Sequence, residues 1–380
     1  MSDMRAYLDH NATAPMRPEA VEAVSGLLGV AGNASSVHEE GRRARKVVEA
    51  ARETVAGLVG ARADMVTFTS GGTEANALAI AGAVGAGLAS RLVVSAVEHP
   101  SVLEAARAMG VPCVEVPVHA TGVIDLDSLD AALSSGDGPA LVSVMAANNE
   151  TGAIQPLSEV VEIARAHDAL VHCDAVQAAG RMRLAWPVLG VDMLTLSAHK
   201  LGGPQGVGAL VARDGLDLKP LLPGGGQERR RRAGTENVAG IAGFAAAVAG
   251  AISDMDRMGW IAGARDGLEA AIREEAPAAH IFSAGTDRLA NTCCFAVDGL
   301  GADMLLIAFD LEGVAVSSGS ACSSGKVGRS HVLQAMGAGE ELIGGAIRVS
   351  LGWSTTQDDI DRFATAWRRI ARRNGAQAAA

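Results

Sequence analysis

Two residues in this chain are placed to bond covalently with a small molecule. Ser197-Ala198-His199-Lys200 ends the apolar segment DMLTLSAHK and runs into LGGPQGVGAL, where glycines let backbone pass close to a ligand. An amine in a partly dry pocket there has a depressed pKa and condenses with an aldehyde. A lysine after a strand is more often simply solvated, so its company decides. Cys322 lies in Ser317-Ser318-Gly319-Ser320-Ala321-Cys322-Ser323-Ser324-Gly325-Lys326, the composition of a surface loop. A thiol that attacks a bound substrate and then presents its sulfur to an acceptor needs exposure, a reachable thiolate and freedom to swing. Cys173, Cys293 and Cys294 sit in apolar runs and read as buried, inert thiols.

The company of Lys200 is a set of polar residues at the ends of apolar segments. Thr69-Ser70-Gly71-Gly72-Thr73-Glu74 follows a strand-like run and precedes the helical stretch ANALAIAGAV. Free backbone N–H groups at that helix start could cradle a phosphate, and an ordinary strand-to-helix turn would look the same. Asp174 closes Val171-His172-Cys173-Asp174, where a buried carboxylate needs a cation or a protonated ring nitrogen, or else caps a helix. His99, in EHPS, could stack on a flat cofactor and exchange protons near neutral pH, or only begin a helix before Pro100. Arg348 is a charge within AIRVSLG; its guanidinium fork suits a substrate carboxylate or a structural ion pair.

These residues must be held by something, and the apolar pattern says what. The segments MVTFTS, LVVSAV, LVSVMAA, LVHCDA, MLTLSA and VGALVA are continuous apolar runs, expected as strands of one sheet buried on both faces. Between them lie Ala- and Glu-rich helical stretches, and GRRARKVVEAARETVAGLVG from Gly41 to Gly60 has the spacing of an amphipathic helix. Ligands of such α/β sheets gather at the carboxyl ends of the strands. Past about Gly250 the texture changes to a helix (DMDRMGWIAGARDGLEAAIREEA), a strand-like CCFAVDG, a helix ADMLLIAFDLEG, then VAVSSG and AIRVSLG, which reads as a smaller α/β unit.

Composition bounds the function. At 380 residues there is room for two domains. With 43 acidic against 32 basic residues the formal charge is −11, which disfavours nucleic acid and acidic membrane surfaces as partners. Arg229-Arg230-Arg231-Arg232 is therefore expected as an exposed or subunit-facing loop. Five cysteines show no repeated metal-ligand spacing and cannot all pair, so no metal is expected and a reducing cytoplasm fits. No apolar run is long enough to span a bilayer, and MSDMRAYLDH lacks a basic-then-apolar signal region.

Taken in order, the motifs YLDHNATAP, GNASSVH, TSGGTEAN, EHPS, NNETG, HCDAVQ, SAHK, SSGSAC and IRVSLG run along nearly the whole chain. Together they resemble the cysteine desulfurases of the class V, fold-type I pyridoxal-phosphate enzymes. The resemblance implies an α/β fold with a seven-stranded, mainly parallel sheet in a large domain (16–250) and a small domain from 1–15 and 251–380. It implies pyridoxal 5'-phosphate on Lys200, with Asp174 at the ring nitrogen, His99 stacked on the ring, and Gln177 and Asn149 beside it. Gly72, Thr73, Ser197 and His199 resemble the phosphate ligands. Thr235 resembles a residue that reaches the phosphate from a neighbouring subunit, which implies a homodimer. Asn33 and Arg348 match the residues that hold the substrate carboxylate, and Cys322 matches the acceptor thiol.

The implied reaction takes L-cysteine to L-alanine and leaves a persulfide on Cys322, for delivery to an acceptor protein in iron–sulfur cluster assembly or thiolation. Related chemistries on the same frame are selenocysteine lyase, another C–S lyase or an aminotransferase, and a non-catalytic sulfur-relay scaffold is the alternative of another class. Two features depart from many relatives: Gln227 follows the triple glycine where His is common, and the chain closes at ARRNGAQAAA without the longer tail that some relatives use to dock a scaffold. The acceptor stays open at this point.

Overall fold

The structure, a computed structural model, describes residues 5–319 and 329–378. All six of the expected apolar runs are strands of one sheet: β2 (Val66–Thr69), β3 (Arg91–Ser95), β5 (Ala140–Ser143), β6 (Leu170–Asp174), β7 (Met193–Ser197) and β8 (Gly208–Ala212). A seventh, β4 (Cys113–Val116), completes the order β2-β8-β7-β6-β5-β3-β4, in which β8 runs antiparallel to its neighbours. Sequence reading passes over β4 because Pro112 and Pro117 flank it and Val114 and Glu115 are exposed, both properties of an edge strand.

Each central strand sends alternate residues to opposite faces. Val93, Leu194 and Val211 join one apolar cluster, while Leu92, Met193 and Leu210 join another. Both faces must therefore be covered. Helices α1 (Pro18–Leu28), α2 (Glu39–Val59), α3 (Gly72–Gly85), α4 (Pro100–Arg107), α5 (Leu126–Ser134), α6 (Leu157–Ala166), the single turn α7 (Trp186–Leu189) and α8 (Val238–Ser253) accompany the sheet. Residues of α2, α5, α6 and α8 lie in the first cluster, and residues of α3 and α4 lie in the second. The amphipathic stretch around Gly41–Gly60 is α2, buried along Val48, Ala51, Val55 and Val59 and stopped by Gly60 at φ 67°.

The later part of the chain forms α9 (Met258–Glu275), α10 (Ala302–Leu311), α11 (His331–Ala335), α12 (Glu340–Gly345) and α13 (Gln357–Ala378) around a second sheet. That sheet is antiparallel, ordered β12 (Ser317–Ser318), β13 (Ile347–Ser350), β10 (Thr292–Ala296) and β9 (His280–Ile281). The chain start joins it: β1 (Ala6–Tyr7) pairs with β11 (Val314–Ala315), and Ala6 and Leu8 enter the same apolar cluster as Phe295, Phe309 and Trp367. Among the described residues no single helix is long and apolar enough to cross a membrane.

The arginine run is less exposed than expected. Arg229 and Arg230 are exposed, but Arg232 pairs with Glu74 at 2.9 Å and Arg231 is half-buried. Glu228, the residue before the run, is buried and accepts two bonds from Arg52 of α2, at 2.6 and 2.9 Å, and one from the Phe68 backbone at 2.9 Å. That clamp holds Glu228, Arg229 and Arg230 at positive φ (45°, 55° and 66°), a conformation that costs energy for side chains of this size. Removing Arg52 strands the Glu228 charge in the interior. Arg52→Ala is expected to destabilise the protein by about 3–5 kcal/mol in urea denaturation; a loss under about 1 kcal/mol would show that the pair does not fasten this loop.

Candidate active site

Strands that run in one direction end on one edge, and the polar residues singled out by sequence are found there. Gly72 and Thr73 follow β2, His99 follows β3, Asn149 follows β5, Asp174 ends β6, and Ser197 ends β7 just before His199 and Lys200. All of them line one cavity of about 270 Å³, together with Gln177 and Arg348. Arg348 comes from the second sheet, so the two sheets meet over this cavity.

The loop after β2 is shaped by close backbone contact. A Cβ at Gly208 would lie 2.5 Å from the Gly71 carbonyl carbon, and one at Gly72 would lie 3.1 Å from Val176. The glycines thus let the N-terminus of α3 sit against β7 and β8, with the first-turn N–H groups turned to the strand edge. Asn76, one helical turn beyond Gly72, donates from Nδ2 to Asp174 Oδ2 at 2.8 Å. The Val176 backbone donates to the other carboxylate oxygen at 2.9 Å. Asp174 is thereby fixed in orientation at the cavity wall. In the sequence Asn76 carries a single signal, its four-residue interval from Gly72 within TSGGTEAN.

His99 serves two ends. Its Nδ1 accepts the Ser101 backbone N–H at 3.1 Å and caps α4, and the ring also lines the cavity. Accepting at Nδ1 leaves the proton of the neutral ring on Nε2. Burial pushes this pKa down and Asp174 pulls it back. His199 is also lowered, to about 4, by burial and by Lys200 and Arg181, and its Nδ1 lies 3.2 Å from Thr13 Oγ1. Neighbouring Glu98 is fully buried; burial and Asp174 raise its pKa, and Oε1 accepts the Met145 N–H at 2.6 Å.

Lys200 Nζ donates to the Asn11 and Ala12 carbonyls at 2.5 and 2.7 Å. Two carbonyl oxygens thus hold the amine at the cavity. Gln177 Nε2 donates to the same Asn11 carbonyl at 3.0 Å, and the Asn11 side chain donates to the Asn149 carbonyl at 3.2 Å. The chain start, read from sequence only as a motif, is therefore a wall of the site. Arg348 is 1% exposed and forms the structural ion pair weighed for it: Nη2 pairs with Asp9 at 2.9 Å, Nη1 donates to the Asn149 carbonyl at 3.1 Å, and the side chain also lines the cavity.

Two expected residues lie elsewhere in this chain. Asn33 is exposed, with Oδ1 accepting the Ser35 N–H at 2.8 Å, and Thr235 is exposed beside a separate cavity behind Thr69 and Ser70. Cys322 falls outside the described residues. The chain on either side of it is anchored near the cavity: Ser317 pairs with Arg348, and Ser330 Oγ donates to Glu150 at 2.5 Å. The other thiols are unreactive by environment, since burial raises the pKa of Cys173, Cys293, Cys294 and half-buried Cys113.

The donor set fits an aldehyde cofactor that carries a phosphate and a basic ring nitrogen. One cavity offers an amine, a helix N-terminus with hydroxyls, a fixed carboxylate and an imidazole, each answering a different group of that molecule.

Glu150 sits next to Asn149 and has a pH signature of its own. Burial raises its carboxyl to about 7, against Ser330 and Arg348, which lower it. A raised carboxyl contributes stability in full below its unfolded value near 4.5 and loses it as pH rises through 7. Glu150→Gln removes that loss. The variant is expected to match the parent in urea at about pH 4 and to exceed it by about 3 kcal/mol at about pH 8; a difference independent of pH would place the titration elsewhere.

The model of the class-V aminotransferase family matches residues 6–363. Cysteine desulfurase IscS of Dictyoglomus turgidum is 42% identical over 363 residues, 93% of this chain and 91% of that one. The IscS-like cysteine desulfurase of Mycobacterium tuberculosis is 39% identical over 94% of this chain and 93% of its own. Among solved structures, a NifS-like protein from Rickettsia africae superposes with a TM-score of 0.89 at 35% identity, covering 96% of this chain and 99% of that one. Likeness in sequence and in fold extends over more than nine-tenths of the chain, which belongs to the class-V aminotransferase family, among its pyridoxal-phosphate-dependent cysteine desulfurases.

Proposed function

We propose that this enzyme converts L-cysteine to L-alanine and moves the sulfur onto Cys322 as a persulfide, from which an acceptor protein takes it for iron–sulfur cluster assembly or thiolation. The observation that carries this reading is the convergence of Lys200, Asp174, His99 and the α3 N-terminus on one cavity with Arg348 in its wall. Gly72, Thr73, Ser197 and His199 would hold the phosphate, Asp174 would pair with the ring nitrogen, and His99, Asn149 and Gln177 would meet the ring. Bound there, pyridoxal phosphate withdraws electrons from the α-carbon of the substrate.

The chain supplies the rest. Arg348 binds the substrate carboxylate in exchange for part of its contact with Asp9. Lys200 Nζ and His99 Nε2 carry protons, and the Asn11 and Ala12 carbonyls receive the lysine amine when it is released. The Cys322 thiolate forms an S–S bond with the substrate sulfur. The C–S bond breaks, its electron pair stays with the carbon skeleton, and a proton completes alanine. Cysteine and one thiol thus become alanine and one persulfide, with no external oxidant.

The remaining residues suit a cytoplasmic homodimer. Thr235 lies outside the cavity of its own chain and is assigned to the phosphate of a neighbouring subunit; Asn33, exposed in its own chain, is assigned to the substrate carboxylate. Residues 16–250 form the cofactor domain, and 1–15 with 251–380 form the domain that carries Cys322. In solution the protein is expected to sediment as a dimer.

Incubation with sulfur-labelled cysteine, followed by mass spectrometry of the Cys322 peptide, tests the reaction. Label is expected on Cys322 with an equal amount of alanine released. Cys322→Ser should abolish transfer, and Lys200→Ala should lower alanine release by roughly a thousandfold or more. Alanine formed without label on Cys322 would overturn the persulfide route.

A further inference from the structure

Behind the main cavity lies a second, of about 30 Å³, and Lys200 lines both. Its walls also include His10, Arg17, Arg181, Asp254 and Gly352. His10 is 1% exposed, and neither ring nitrogen has a hydrogen-bond partner among the described residues. The ring meets Tyr7 edge-on, with centroids 5.4 Å apart, and lies flat against Gly352, where a Cβ would come within 1.9 Å of Nδ1. Only glycine at 352 permits this placement.

Burial, with Arg181 and Arg17 nearby, pushes the His10 pKa down to about 3, so the ring is neutral, with one N–H and one lone pair. Leaving either unmatched in a buried position costs about 1–3 kcal/mol. A water needs roughly 10–15 Å³ of such space and two to four polar partners. The cavity offers room for one or two waters, and His10, the Arg181 guanidinium and the Asp254 carboxylate offer the partners. Asp254, which pairs with Arg17 at 2.8 Å, opposes an anion there.

We propose that this cavity is a built water site, with one or two ordered waters bonded to His10, and that His10 is a positioning residue for Lys200. The link is short. Asn11 and Ala12, whose carbonyls hold Lys200 Nζ, directly follow His10. Arg181 Nη2 donates to the His10 carbonyl at 3.4 Å and to the Lys200 carbonyl at 3.5 Å, tying the two backbones together. A solvated His10 therefore sets where residues 10–12 present their carbonyls. The water site stands independently of the reaction, whereas the effect on Lys200 rests on the function proposed above.

The two parts are tested separately. A high-resolution crystal structure of the wild-type holoenzyme, with a parallel bromide soak, is expected to show water within hydrogen-bond distance of a His10 ring nitrogen. Empty density, or bromide in the cavity, would overturn the water site. For positioning, His10→Phe keeps a ring against Gly352 without nitrogens, and His10→Gln restores a donor and an acceptor. His10→Phe is expected to lower kcat for alanine release about tenfold with KM for cysteine within about twofold, and His10→Gln to recover most of it. Equal losses in both variants, or a change in KM alone, would assign His10 to packing and overturn the positioning role. Sulfur labelling of Cys322 in the wild type reports on the reaction itself, so its failure is distinguishable from either result.

Discussion

A parallel sheet delivers every strand end to the same side, and the active site of this protein depends on that constraint. The strand-end residues are separated by up to 128 positions, from Gly72 to Lys200, yet β2, β3, β5, β6 and β7 bring them to one edge. The sheet is buried on both faces, so its register is set by apolar residues that alternate between two clusters. A slip of one residue would turn Asp174 and Ser197 away from the cavity and expose apolar side chains to polar ones. Core packing and site geometry are thus one requirement.

The second sheet closes what the first leaves open. Arg348 of β13 spans from Asp9 to the Asn149 carbonyl, and Asn11 spans from Thr292 of β10 to the same carbonyl. Through these bonds the chain start and the later part of the chain are both fastened to the strand edge that holds the lysine. Ser330, beyond the cysteine segment, is fastened to Glu150, the next residue along. The stretch Asn148–Thr151 is a junction where the lysine side of the site and the flanks of the cysteine segment share backbone and buried carboxyl groups.

Burial shifts the titration of several polar groups in this region towards their neutral forms, because it makes charge costly. His99, His199 and His10 are lowered, while Glu98 and Glu150 are raised. The lysine amine is held by carbonyls, Arg348 by Asp9 and the Asn149 carbonyl, and the Asp174 carboxyl group by Asn76.

Much of this was legible in the chain itself. Continuous apolar runs announced a sheet buried on both faces, and the polar residues that terminate them marked its functional edge, because a buried strand has no other place for a charge. The family motifs named Lys200, Asp174, His99 and Arg348 in the same way. The edge strand β4 was not legible, since its exposed face and flanking prolines erase the apolar run. Nor were the carbonyls of Asn11 and Ala12, the Asn76 contact or the buried ring of His10. Backbone acceptors carry no residue type, and partners 98 to 189 positions apart are joined only when the sheets close on each other. Residue types determined which chemistry is available; which atoms hold the lysine and orient the aspartate was decided by packing.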